Sequence, residues 1–168
     1  MKNTTTRFQA IAALVALIAF PSAAATTGSI AISGSVPAII EITVTSESVA
    51  QNLPLTQTVS DLKVATVVER SNKKAGYTVV LESANATAAG SSSASLKSTE
   101  TNDVLPYSIK YDGNAVSLSG GSAVVSDASA KTAASGVSKA LTVSFNGADN
   151  FLDESTYSDT MTLTIIAK

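Results

Sequence analysis

The residues of this chain best suited to chemistry are four acidic side chains near its C-terminal end. Carboxylate oxygens at such density are the ligands that Ca²⁺ prefers in proteins. Their spacing matches no calcium-binding loop that we can name, and a solvated turn before the last predicted strand is the simpler interpretation. Calcium binding therefore stays open for this cluster, which comprises Asp149, Asp153, Glu154 and Asp159.

Catalytic chemistry finds little support in the rest of the chain. The sequence contains no histidine and no cysteine, which excludes His-based triads and the usual zinc sites. Serine is abundant, but no Gly-x-Ser-x-Gly motif is present, and nothing marks a Ser–Lys pair. Gly120-Gly121-Ser122 is too short and isolated to cradle a phosphate. We therefore predict that the protein is not an enzyme, with no catalytic or metal-binding residue to name and no cofactor.

A small basic patch and the tyrosines are the remaining binding candidates. Arg70, Lys73 and Lys74 precede a predicted turn at Gly76. They form either a solvated hairpin tip or a contact for an acidic surface or a glycan. The tyrosines alternate with apolar residues, which is typical of core or cross-strand positions rather than of a sugar-binding platform. These residues are Tyr77, Tyr107, Tyr111 and Tyr157.

The first 25 residues are typical of a secretory signal peptide. Lys2 and Arg7 precede an apolar run at 11–20, Pro21 ends that run, and small residues lead up to a cleavage site after Ala25. The run is too short to span a bilayer comfortably, which argues against the alternative of an uncleaved membrane anchor. We therefore expect the mature protein to be exported.

Charge and length restrict what the mature chain can do. Cleavage would take Lys2 and Arg7 from the 11 basic residues and leave nine against 13 acidic ones, a net charge near −4. No basic stripe remains, so nucleic acid is not an expected partner. The 143 residues from Thr26 onwards suffice for one domain. Without disulfides, its stability must come from sheet packing.

The elements that position these residues are predicted to be strands. Apolar side chains alternate with period two, Thr, Ser and Val are frequent, and no convincing helical pattern interrupts them. Asp112-Gly113-Asn114 is a hairpin signal. Segments 84–98 and 119–139 are rich in Ser, Ala and Gly and are predicted to be loops. The pattern favours an all-β sandwich, with strands at 39–44, 62–68, 77–81, 105–111, 116–118, 137–145 and 157–165.

The most informative segment is a strand-like arm at 29–36, directly behind the signal. One face of the arm carries Ile30, Ile32, Gly34 and Val36, and the other carries small polar residues. Pro37 ends the segment because it has no N–H to donate. The arm is either the first strand of a complete sandwich or a strand that is inserted into another subunit.

Both ends of the mature chain resemble cysteine-free major pilins of the colonisation-factor (coli-surface-antigen) fimbrial family. The sequence IAISGSVPAIIEI from Ile30 is similar to the N-terminus of those pilins, and YSDTMTLTI from Tyr157 is similar to their last strand. The second segment also resembles spore-coat-U-type pilins. The two segments cover about a fifth of the chain. Ala167 stands where many related pilins carry a tyrosine.

The resemblance implies an incomplete immunoglobulin-like sandwich at 38–168, completed by donor-strand exchange. The arm, 26–37, would supply Ile30, Ile32, Gly34 and Val36 to the neighbouring subunit. It further implies a structural role in a surface fimbria and in adhesion. The expected partners are copies of the chain, a periplasmic chaperone, an outer-membrane usher and a candidate host-surface receptor. The flanks of the acceptor groove would be Ile40, Ile42, Val44, Met161, Leu163 and Ile165.

A second hypothesis is a self-contained exported β-sandwich that binds a glycan or another ligand. A third, an unusual hydrolase, is much weaker. The first two hypotheses differ in what they require of the arm. A polymerising subunit needs a strand from outside to complete its fold, whereas a self-contained sandwich does not.

Overall fold

The computed structural model describes residues 25–168. The predicted signal peptide, 1–25, lies outside the described residues except for Ala25. Within the described part of the chain, no helix is long and apolar enough to cross a membrane. Both sheets belong to a compact unit that runs from Val36 to Lys168.

This unit is all-β, and its strands form two antiparallel sheets packed as a sandwich. The helical elements are a 3₁₀ turn at Ser48–Gln51 and a short helix, α1, at Ala84–Ala89. The strands are β1 (Ile40–Ser46), β2 (Thr58–Ser71), β3 (Tyr77–Ser83), β4 (Ala94–Ser98), β5 (Val104–Tyr111), β6 (Asn114–Val116), β7 (Ser122–Ala128), β8 (Val137–Asn146), β9 (Tyr157–Ser158) and β10 (Met161–Ala167).

The larger sheet has the order β1-β2-β8-β5-β4-β9, and β6 pairs with the second half of β5. The smaller sheet has the order β10-β3-β7. Alternate side chains of both sheets point inward and make one core. Val67, Val79 and Leu81 are completely buried in it, and Leu105 is 1% exposed.

The alternating pattern predicted most of these strands correctly. The hairpin at Asp112-Gly113 is confirmed, because both residues have positive φ (51° and 79°) and join β5 to β6. Tyr77, Tyr107 and Tyr111 are buried, as their alternation with apolar residues predicted. Leu118 is also buried, although β6 ends before it at Val116.

The inward face of β2 changes along its length. The register against β8 shifts between Lys63 and Ala65, and an irregularity of this kind reverses which alternate residues face the core. Beyond the shift, Ala65, Val67, Glu69 and Ser71 are all buried. The shift therefore turns the carboxylate of Glu69 toward the core. Simple alternation from Val64 would have turned Val68 inward instead.

The prediction of a loop at 84–98 is wrong. Ser83 caps α1, because its hydroxyl accepts a hydrogen bond from the backbone N–H of Ala86. Gly90 ends the helix in the left-handed conformation, with φ of 59°. β4 follows, with Ala94, Leu96 and Ser98 buried.

The prediction of a loop at 119–139 is also wrong in its first half. β7 occupies Ser122–Ala128 and pairs with β3 as the edge strand of the smaller sheet. Gly121 precedes it with φ of +87°, and a Cβ there would lie 2.3 Å from the backbone nitrogen of Thr87 in α1. The glycine is therefore a packing contact with the helix.

Candidate functional site

The two sheets are open along one shared side, between β1 and β10. β1 pairs with β2 on one side, and β10 pairs with β3 on one side. Within residues 25–168, neither strand pairs with another on its second side. Residues of β1 and β10 approach within 8 Å, Cα to Cα. Two unpaired strand edges from opposite sheets thus lie side by side, and we call the strip between them the groove.

The six predicted flanking residues all lie on these two strands. Each stands directly opposite a residue of the neighbouring strand that is at most 2% exposed. Directly opposed residues of an antiparallel pair share one face of the sheet, so all six face inward. The pairs are Ile40 with Ser71, Ile42 with Glu69, Val44 with Val67, Met161 with Ser83, Leu163 with Leu81, and Ile165 with Val79.

The flanking residues are more exposed than the residues opposite them on β2 and β3. Val44 is 45% exposed, and the other five flanking residues are half-buried. Ile42, Met161 and Leu163 still contact the main core. Along the groove, apolar side chains that contact the core therefore lie between two strand edges with unpaired backbone groups, and such edges are templates for strand addition.

The arm carries exposed apolar side chains. Ile30 is 88% exposed, Ile32 is 94% exposed and Val36 is 84% exposed. A Cβ added to Gly34 would meet no atom within 4 Å. Among the described residues none before Ile40 lies in a strand, although the pattern at 29–36 is strand-like. The difference has a simple cause, because a lone strand has no partner for its backbone hydrogen bonds.

Asn72 anchors the chain between the arm and β1. Its side-chain nitrogen donates to the Pro37 carbonyl over 2.8 Å, and its side-chain oxygen accepts from the Ile39 N–H over 2.7 Å. Its backbone N–H also donates to the Ile39 carbonyl over 3.1 Å. Sequence analysis missed this residue, because an asparagine followed by two lysines gives no sign of a partner 33 positions away.

Glu69 is completely buried below the groove, beside Ile42. Its carboxylate accepts hydrogen bonds from Tyr111 over 2.6 Å, from Tyr77 over 2.8 Å and from Ser126 over 3.0 Å. Burial, and then the hydrogen bond and negative charge of Glu69, raise the pKa of Tyr77 to about 12. The same causes also raise the pKa of Tyr111.

Asp159 stands where the chain passes from β9 in one sheet to β10 in the other. It accepts hydrogen bonds from the Ser83 and Tyr107 hydroxyls, both over 2.6 Å, and from the backbone N–H of Asn85 over 3.0 Å. Burial and this contact raise the pKa of Tyr107 above the usual tyrosine value. Asp159 therefore fixes the start of β10, one flank of the groove.

The other acidic residues of the cluster serve different contacts. Asp149 accepts from the side chain of Asn146, and the Asp153 carbonyl accepts from the Tyr157 hydroxyl over 3.1 Å. Glu154 is exposed. Over the described residues, no group of three or more acidic side chains is arranged to hold a metal ion.

An open cleft of about 770 Å³ lies on the opposite side of the sandwich, between β6 and β7. Asn114, Ser117, Ser119, Ser122 and Val124 contribute to its lining. The residues that line it carry no charged side chain.

Comparison with known proteins gives no assignment. No protein-family model and no curated protein matches this chain.

Proposed function

We propose that the protein is a structural subunit of a surface fimbria that polymerises by donating its N-terminal arm to a neighbouring copy. The observation that carries this proposal is the groove between β1 and β10, with an inward apolar row on each flank. A strand in this groove would gain backbone hydrogen bonds and cover the row. The apolar face of the arm offers Ile30, Ile32 and Val36, each worth about 1.5–3 kcal/mol when fully buried.

The strand order supports an immunoglobulin-like fold that lacks its last strand. A constant-type immunoglobulin sandwich has strands A, B, E and D in one sheet and C, F and G in the other. The larger sheet follows the order A, B, E and D with its strands β1, β2, β8 and β5. In the smaller sheet, β3 corresponds to C and β10 to F. The place of G is the free edge of β10. Donated strands of this head-to-tail kind do not close into a ring, so they generate a fibre.

On this proposal the subunit is exported to the periplasm and held there by a chaperone that occupies the groove. An outer-membrane usher then replaces the chaperone strand with the arm of the next copy. The finished location is a fimbria on the cell surface, where a role in adhesion would involve a host-surface receptor.

The experiment compares residues 38–168 alone with the same residues carrying a copy of 26–36 after Lys168. β10 ends next to the added segment, so the copy can turn back along the free edge. We expect the supplemented domain to be monomeric and clearly more stable, and the truncated domain to aggregate. Equal stability of the two forms would contradict the proposal. A matched control carries the same copy with Ile30 and Ile32 changed to Ser.

The uncharged cleft between β6 and β7 favours a second candidate function, the binding of a neutral ligand such as a glycan. Its size is within the range of small-molecule sites. A self-contained glycan-binding sandwich would be as stable without the arm as with it. The truncation experiment therefore separates the two functions.

A further inference from the structure

One loop of the domain exposes a large aromatic side chain that its own fold does not use. Phe151 is fully exposed, whereas its neighbour Leu152 packs against the core. We call residues 147–154 the Phe151 loop. The loop is anchored, because the Gly147 N–H donates to Gln57 over 3.0 Å and the Asp153 N–H donates to Asp103 over 3.0 Å. Phe151 is thus an exposed aromatic side chain on a loop whose backbone is held to the rest of the domain.

The two ends of the sandwich carry opposite charge. Asp149, Asp153 and Glu154 are exposed around Phe151. They lie beyond the end of β8 that pairs with Thr58 at the start of β2. Glu100 and Asp103 lie at the same end, together with Lys97 of β4.

At the other end of β2 lies the lysine turn, defined as residues 72–76. Lys73 and Lys74, with nearby Lys131, take part in no salt bridge within the described part of the chain. Other cations towards this end are paired, Arg70 with Glu41 over 3.0 Å, Lys168 with Asp127, and Lys139 with Asp112. The end of the sandwich that carries the lysine turn is therefore positively charged.

The connection between arm and domain begins at the lysine turn. Asn72 holds Pro37 and Ile39, so Val36 is only one residue from this anchor. Once Val36 occupies a neighbouring copy, the lysine turn must lie against the end of the groove that Val36 reaches. If the arm runs antiparallel to β10, that end is the start of β10, at the same end of the sandwich as the Phe151 loop. In the parallel direction, two positive ends would meet.

We propose that the lysine turn of one copy binds the Phe151 loop of the next copy along the fibre. Lysine ammonium groups face the carboxylates of Asp149, Asp153 and Glu154, and Phe151 packs against the aliphatic stems of the lysines. This inference rests on the proposed function. The partner is a second copy of this chain, because the complementary surface is present at the other end of the same domain.

The test measures fibre growth of the purified mature chain, 26–168, by light scattering and electron microscopy. One variant carries Lys73→Glu and Lys74→Glu, a second carries Asp153→Lys and Glu154→Lys, and a third combines all four. Lys73→Arg with Lys74→Arg is the matched control that keeps the charge. All these positions lie outside the buried core, so thermal unfolding should be unchanged.

We expect each reversal alone to slow growth roughly tenfold at low salt, because like charges then meet. The variant with all four substitutions should grow at the wild-type rate. Because salt screens the charges, the slowing caused by each reversal alone should become smaller near 0.5 M salt. Phe151→Ser should slow growth at every salt concentration.

Three results would overturn the inference, each in a different way. If wild type forms fibres and each charge reversal grows at the same rate, the contact is absent while strand donation stands. If each reversal slows growth but the variant with all four substitutions also grows slowly, the lysine turn and the Phe151 loop do not face each other in the fibre. If wild type forms no fibre, both proposals fail.

Discussion

Tyr111 on β5 donates a 2.6 Å hydrogen bond to the carboxylate of Glu69 on β2, deep between the two sheets. With Tyr77 from β3 and Ser126 from β7, it gives this carboxylate donors from both sheets. A buried carboxylate is tolerated only when such donors replace its water. Because Glu69 is paired with Ile42, the same contacts hold the floor of the groove.

Tyr111→Phe should lower the free energy of unfolding by about 1.5–3 kcal/mol, the usual worth of a hydrogen bond to a charged group. Urea unfolding of the arm-supplemented domain measures this change. Tyr157→Phe is the control, because Tyr157 bonds to Asp103 near the surface and should matter less. If both variants lose the same free energy of unfolding, the burial of the Tyr111–Glu69 hydrogen bond adds nothing to its contribution.

Alkaline pH should unfold the protein through its buried tyrosines. The pKa of Tyr77 in the folded state, about 12, exceeds the ordinary value of 10.0. Stability from this tyrosine is therefore intact below pH 10 and is lost as the pH rises through 12. Tyrosinate absorbance should rise together with loss of the folded circular-dichroism signal. Ionisation of all four tyrosines near pH 10 in a folded protein would contradict this prediction.

Ile32→Asp should give subunits that fold with a chaperone but do not extend fibres. The change removes about 1.5–3 kcal/mol of apolar burial and adds the cost of burying a carboxylate. Ser33→Asp places the same charge on the polar face of the arm and should leave fibres nearly normal. Electron microscopy of cells that express each variant is the measurement. Normal fibres from Ile32→Asp would count against strand donation.

Gly121→Ala should destabilise the domain by more than Gly120→Ala. Both glycines have positive φ, +87° and +57°, so both substitutions strain the backbone. Only at Gly121 would the new Cβ clash with Thr87, whereas at Gly120 it meets no atom within 4 Å. Thermal unfolding of the two variants checks this difference, and similar midpoints would show that α1 can move aside.

Sequence alternation was sufficient to predict the sandwich and the strands that border the groove. It failed at α1, because six residues are too few to show a helical period. Ser83 and Gly90 were the available signals there. Alternation alone did not reveal the irregularity in β2, and hence did not place Glu69 in the core. The hydroxyls that satisfy Glu69 come from positions 8, 42 and 57 residues away, a distance that no local pattern covers.

The hydrogen bonds of Asn72 have a mechanical consequence. Tension applied through Val36 reaches Pro37 and Ile39, and Asn72 passes it to the end of β2. β2 is the longest strand and pairs with both β1 and β8. A pull along the strand direction would then load many ladder hydrogen bonds in shear at once, instead of peeling β1 away one residue at a time.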